Sequence, residues 1–113
     1  KLLASLEGKP LPTAILAIND VCALGAMRQL QRAGLRVPED IAIIGCDNLF
    51  FGQYLSPPLT TVDLRAEERG RSAMKELVHA LSGGESILFD HKLECSLIVR
   101  ESCGAMRSAP LYK

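Results

Sequence analysis

The stretch Ala14-Ile15-Leu16-Ala17-Ile18-Asn19-Asp20, answered downstream by Ile41-Ala42-Ile43-Ile44-Gly45-Cys46-Asp47-Asn48, decides the fold. Each is a short apolar run closed by a polar cluster. Runs apolar throughout suit strands buried on both faces, and the helix-length amphipathic segment between them makes the two strands parallel neighbours through a right-handed crossover. Their carboxyl ends then lie on one edge. Ligands of open parallel sheets bind at that edge, so Asn19 and Asp47 are placed side by side where a small polar molecule would sit.

Around this unit the chain of 113 residues falls in the single-domain range. Its 48% hydrophobic and 23% charged residues support a globular core. Low aromatic content and a bias to Ala, Leu, Ile and Val favour an α/β sheet. Thirteen basic residues balance thirteen acidic ones, which leaves no broad electrostatic footprint for nucleic acid or an anionic membrane. No run approaches the roughly 18 apolar residues of a membrane span, and no signal-peptide pattern opens the chain. The start lacks Met, and Leu2, Leu3 and Leu6 before Gly8 read as the tail of a helix already under way, so the sequence is expected to be a piece of a longer protein.

Strand one is expected at about 14 to 18, after Pro10 and Pro12. Asp20 suits the N-cap of the next helix and reads second as a ligand contact. Ala23, Leu24, Met27 and Leu30 give that helix an apolar stripe, and Gly34 stops it. From Leu49 to Pro58 an apolar loop with Phe50, Phe51, Tyr54 and Leu55 either covers the core or meets another subunit. Leu59 to Val62 is extended. Asp63 can then cap a second helix over 66–81, whose stripe includes Ala73, Met74, Leu77, Val78 and Leu81 and which Gly83-Gly84 ends. Glu67 and Arg71 are spaced for a surface pair. A final strand runs from Ile87-Leu88-Phe89 through Leu93, Cys95, Leu97 and Val99, with alternation that indicates one buried face, and residues 104–113 form a tail.

Among the polar residues Asp47 is the sharpest candidate for ligand contact. A carboxylate at a sheet edge accepts two hydroxyl hydrogen bonds, as a polyol site requires, although Asp-Asn also closes turns. Asn19 offers a donor and an acceptor at the same crevice, or an Asx turn into the helix. Catalysis fares poorly. Asp20 and Asp47 have no histidine, serine or cysteine beside them in a nucleophile arrangement, and His79 and His91 stand without partners at useful spacing. The sequence has no GxGxxG, phosphate loop or GxSxG, so no cofactor is expected. Cys22, Cys46, Cys95 and Cys103 form no CxxC pair, which argues against a metal site; reduced thiols fit a cytoplasmic protein, with Cys46 and Cys95 as small buried groups.

Taken together, Pro12-Thr13-Ala14-Ile15, Ala17-Ile18-Asn19-Asp20, Ala23-Leu24-Gly25-Ala26, Gly34 to Ile41, Ile44-Gly45-Cys46-Asp47-Asn48, Tyr54 to Val62 and Leu97-Ile98-Val99-Arg100-Glu101-Ser102 closely resemble the C-terminal part of lactose/galactose repressor-family transcription regulators. The match covers about residues 2 to 103. It implies an α/β, parallel-sheet subdomain like that of periplasmic sugar-binding proteins, one part of a two-subdomain effector-binding fold, with operator DNA held by a helix-turn-helix outside this chain. The family's Asn of the AxND segment and Asp of the GxD segment contact effector hydroxyls, which carries over to Asn19 and Asp47. Cys46 departs from the Tyr or Phe often found before that Asp. The family dimer contacts map onto Leu24, Met27, Arg28, Tyr54 and Leu55, which moves the apolar loop towards an interface. The resemblance also implies that the chain crosses between subdomains near Thr61 to Leu64, so that the 66–81 helix packs on the absent subdomain. In this chain alone that helix is expected to repack on the sheet or exchange with a second copy, since burying each large apolar side chain contributes about 1.5–3 kcal/mol. A sugar or related metabolite is the expected partner, with a homodimer or higher assembly and no membrane. Two rivals share the fold class: a transport-type sugar-binding protein, and a doubly wound enzyme with a reactive side chain near Asp47.

Overall fold

The computed structural model describes residues 8, 10–84 and 92–105. Strands β1 (Ala14–Leu16), β2 (Ala42–Cys46), β3 (Thr60–Asp63) and β4 (Ser96–Ile98) form one sheet in that order, with helix α1 (Asp20–Arg32) between β1 and β2 and helix α2 (Ala66–Leu81) between β3 and β4. β1, β2 and β3 are parallel, and β4 returns antiparallel to β3. The leading helix, the Ile87-Leu88-Phe89 part of the last strand, His91 and most of the tail lie outside the described residues.

α1 forms where the stripe demands it. Ala23, Met27 and Leu30 fall on one face and are sealed against Ile43 of β2 and Leu59, with Val37 and Ile41 closing the core. Its stop follows the expectation at Gly34, which takes φ 79°; the Gly34 N–H donates to Gln31 O and the Leu35 N–H to Leu30 O, satisfying two terminal carbonyls. Its start corrects the sequence reading by one residue. Asn19, extended at φ −155°, is the N-cap, and its Oδ1 accepts from the Cys22 N–H at 2.7 Å. Asp20 is the first helical residue.

Burial on both strand faces is not what this chain shows. Ile43 and Gly45 of β2 are buried under α1, whereas Ile44 and Cys46 are half-buried and Leu16 of β1 and Leu97 of β4 are exposed. Only one face has a helix layer among the described residues. α2 spans Ala66–Leu81 as the periodicity predicts and ends at Gly83, φ 82°, yet it buries no residue. The repacking of this helix onto the sheet therefore does not occur, and Met74, Leu77, Val78 and Leu81 remain exposed. Leu97 and Val99 are exposed too, and so is Cys95, so neither the buried face expected of the last strand nor a buried Cys95 is found. Asp63 does not cap α2 either. It is the last residue of β3, and the N-cap is Arg65, in the left-handed region at φ 52° with no side-chain cap.

A short segment after β4 locks the sheet from below. Ser102, fully buried, donates its hydroxyl to Ile43 O at 2.7 Å and accepts from the Thr60 N–H at 2.8 Å, so one side chain bridges β2 and β3. Glu67 and Arg71 make the expected pair on α2, at 2.7 Å and well exposed.

Candidate effector site

The register of the parallel strands builds the site. Leu16 pairs with Ile44, so the parallel strands β1 and β2 run out at one carboxyl edge, with Asn19 and Asp47 each three residues beyond that pair. Ile44 pairs in turn with Thr60, which brings the end of β3, at Asp63, to that edge as well. A cavity of about 400 Å³ opens there, lined by Asp47, Asp63, Arg65, Glu67, Glu68 and Arg71 with Ala66. Asp47 and the head of α2 share this cavity; Asn19 does not line it.

Asp47 leaves β2 with its N–H donating to Val62 O at 2.8 Å and then takes φ 107°, with Asn48 following at φ 50°. Two successive left-handed residues turn the chain sharply, a conformation that Asn and Asp tolerate better than other side chains bearing a Cβ. Among the described residues the Asp47 carboxylate accepts no hydrogen bond, so its lone pairs are available to a ligand. Asn19 is differently committed. Its capping bond fixes Oδ1 toward the helix, since only an acceptor can face the Cys22 N–H, and leaves Nδ2 as the donor end. Cap and ligand readings thus use opposite ends of one amide.

Asp20, expected among the ligand contacts, faces inward instead. It is 0% exposed, and its oxygens accept from the Thr61 Oγ1 hydroxyl at 2.6 Å and from the Leu49 N–H at 2.7 Å. A carboxylate in that position is held by protein donors, which removes its need for a ligand. Gly45 makes room for it, because a Cβ there would overlap Asp20 Oδ1. Of the residues expected at a subunit contact, Met27 is likewise core, 2% exposed. Leu55 packs half-buried against the core, while Leu24, Arg28 and Tyr54 are exposed. The Phe50–Tyr54 segment is a 3-10 turn in which Phe50 and Phe51 meet edge to face at 6.0 Å.

Sequence reasoning missed the frame behind the rim. Thr61 Oγ1 accepts from the Asn48 N–H at 3.2 Å, Asn48 Nδ2 donates to Asp63 Oδ2 at 3.2 Å, and Arg100 Nη2 donates to Asn48 Oδ1 at 3.1 Å. Asp63 Oδ1 also accepts from the Arg65 N–H at 2.7 Å. Asp63 had a findable signal, since it ends a strand parallel to β2 and so reaches the same edge. Within the cavity Arg65 pairs with Glu68 at 2.5 Å and Arg71 with Glu67, so both guanidinium groups are engaged. The thiol of Cys46, next to Asp47, is pushed above its ordinary range by burial, and the Asp47 charge adds to the effect. It stays neutral at physiological pH. No cluster of metal-ligating side chains occurs among the described residues, and no described helix is long and apolar enough to cross a membrane.

Comparison with known proteins places this geometry. A family model described as periplasmic binding protein-like domain matches residues 1–103. The chain is 43% identical over 95 residues to the HTH-type transcriptional repressor CytR of Escherichia coli, a match covering 84% of this chain and 28% of that protein. Among solved structures it is similar to a LacI-type transcription regulator from Bifidobacterium animalis subsp. lactis, with a TM-score of 0.79 and 35% identity over 88% of this chain and 35% of that one. It is similar also to a LacI family transcriptional regulator from Arthrobacter in complex with lactose, with a TM-score of 0.73 and 40% identity over 88% of this chain and 38% of that one. The chain spans under a third of the length of its curated relative.

Proposed function

We propose that this chain, which belongs to the periplasmic binding protein-like domain family as LacI-type transcription regulators carry it, supplies one wall of a pocket for a small hydroxylated effector, a sugar or related metabolite. The observation that carries this reading is the Asp47 carboxylate, free of hydrogen bonds among the described residues, lining a cavity at the carboxyl edge of β2, with Asn19 following the adjacent parallel strand β1 towards the same edge. A hydroxyl group donates to the first and accepts from the second. Because Arg65 and Arg71 are engaged by Glu68 and Glu67, the charges lining the cavity without a cationic partner among the described residues are those of Asp47 and Asp63, which suits an uncharged polyol better than an anion.

The effector bridges this wall to groups on a second subdomain and favours one closure state, and the shift is bounded by its differential affinity for the two states. Operator DNA is bound through a helix-turn-helix outside residues 1–113, in keeping with the balanced charge of this chain. Homodimerisation uses the outer side of α1, at Leu24 and Arg28, together with Tyr54 and the rim of Leu55; Met27 supports that surface from the core. The relatives named as transcriptional repressors favour this reading over the transport-type binder.

The test is calorimetric titration of the full-length regulator with a panel of neutral mono- and disaccharides that includes lactose. Asp47→Ala removes a charge-assisted hydrogen bond, so affinity for the tightest member should fall about ten- to a hundredfold, while stability falls only by the cost of a left-handed Ala, about 1–2 kcal/mol. Equal affinity in the variant takes Asp47 out of the site.

A further inference from the structure

Asn48 has its backbone N–H and both ends of its side-chain amide committed, two of them to β3 and one to Arg100 after β4. Its N–H goes to Thr61 on β3, its Nδ2 to the carboxylate of Asp63 at the end of β3, and its Oδ1 accepts from Arg100, whose Nη1 also donates to Leu59 O at 2.7 Å. Asn48 and Asp47 both occupy the left-handed region, which persists only where surroundings over-determine it. On one side of the turn Asp47 is fixed by its ladder bond to Val62; on the other, Asn48 supplies the constraint. The direction of the Asp47 side chain is thereby set by its own backbone bond to Val62 together with the bonds of Asn48.

We propose that Asn48 is a positioning residue for the effector, resting on the reading of Asp47 as the effector contact: it touches no ligand but holds the Asp47 carboxylate in place. Its bond to Asp63 does a second thing. Asp63 also anchors the Arg65 N–H at the head of α2, so Asn48 and Asp63 form a two-residue link from the effector contact to the connection that leads into α2. The link thus joins the turn that carries Asp47 to the start of the helix whose apolar face is exposed among the described residues.

The experiment exchanges the polarity of that link in the full-length protein, with the tightest neutral sugar of the panel as probe. Asn48→Asp faces one carboxylate with another at Asp63, beside Arg100 and with Asp47 adjacent and Asp20 behind Thr61. Affinity should drop about tenfold near neutral pH, because two carboxylates now face each other across that link. The double variant Asn48→Asp with Asp63→Asn restores every bond, because the amide introduced at position 63 donates to the new carboxylate and still accepts from the Arg65 N–H, so affinity should return to within about twofold of the original. Asn48→Gly, which keeps the left-handed conformation and the fold but removes both side-chain bonds, should weaken the probe severalfold with little change in melting temperature. Wild-type affinity in Asn48→Gly, or a double variant as weak as Asn48→Asp, overturns the proposal. Should Asp47→Ala bind normally as well, the effector site itself has been misplaced; loss in Asp47→Ala alone leaves the site standing and removes only Asn48.

Discussion

Of the two helices, α1 turns Ala23, Met27 and Leu30 onto the sheet and seals them, whereas α2 offers Met74, Leu77 and Val78 at helical spacing and seals none. Both stripes read equally well in the sequence. The difference lies in how the ends are tied. α1 begins at an Asn19 cap inside the rim, is bolted through Asp20 to Leu49 and Thr61, and is held near its end by Gln31 Nε2 donating to Ser56 O at 2.6 Å. α2 is anchored at its head through Arg65 and carries exposed ion pairs along its first turns. Apolar periodicity therefore says that a face expects cover; long-range polar ties say whether the same chain provides it.

Matched methionines give the largest contrast. Met27 is 2% exposed and Met74 is 59% exposed. Met27→Ala opens a cavity in a packed core and should cost about 2–5 kcal/mol, while Met74→Ala should stay within about 0.5 kcal/mol. Urea unfolding of this chain followed by circular dichroism reads both. A Met74→Ala cost comparable to that of Met27→Ala, accompanied by a dimer on size-exclusion chromatography, would mean that a second copy covers α2 in solution and would end the contrast.

Two serines sharpen the comparison at smaller scale. Ser102→Ala leaves the buried Thr60 N–H and Ile43 O of adjacent strands without their shared partner and should cost about 1–3 kcal/mol for each group left unsatisfied. Ser82, at the end of α2, also donates to a carbonyl, Val78 O at 2.9 Å, but does so in solvent. Ser82→Ala should change stability by no more than about 0.5 kcal/mol, water replacing the hydroxyl. Thermal melts of the two variants side by side decide whether burial, and not the bond count, sets the cost.

What the sequence makes legible here is local. The apolar runs and the intervening stripe suffice for parallel β1 and β2, and those two facts bring Asn19 and Asp47 to one edge. Gly34 and Gly83 are readable because a helix stop needs the left-handed region that glycine enters freely. The exchange of cap between Asn19 and Asp20 was not readable, since either residue type caps well and the choice was made elsewhere: Asp20 is drawn inward by Leu49, 29 residues on, and Thr61, 41 residues on. Ser102 is equally silent, meeting β2 and β3 across 59 and 42 residues. The left-handed Arg65 carries no signal at all in its side chain. The head of α2, and with it the cavity beside Asp47, therefore emerges only when the fold closes.

Ion pairs set the smallest expected effect. Arg36 and Asp40, in the loop that follows α1, are joined by three bonds: the Arg36 N–H and Nε donate to Asp40 Oδ2 at 2.7 and 3.0 Å, and Nη2 donates to Oδ1 at 2.8 Å. The guanidinium hydrogen bond, seconded by the backbone N–H, holds the Asp40 carboxyl at about 2, below its ordinary 3.8. The unfolded chain then binds a proton that the folded chain refuses, so the pair contributes stability above pH 3.8 that is lost as pH falls to about 2. Asp40→Asn should flatten the stability curve in that window and change it little in slope above it. The Glu67–Arg71 pair on α2 has one side-chain bond, no backbone donor and is well exposed, so Glu67→Gln should change the melting temperature little at neutral pH. Acid titration of melting temperature reads Asp40→Asn against the parent chain, and a curve as steep as the parent's between pH 3.8 and about 2 would show that the three bonds from Arg36 do not hold the Asp40 carboxyl down.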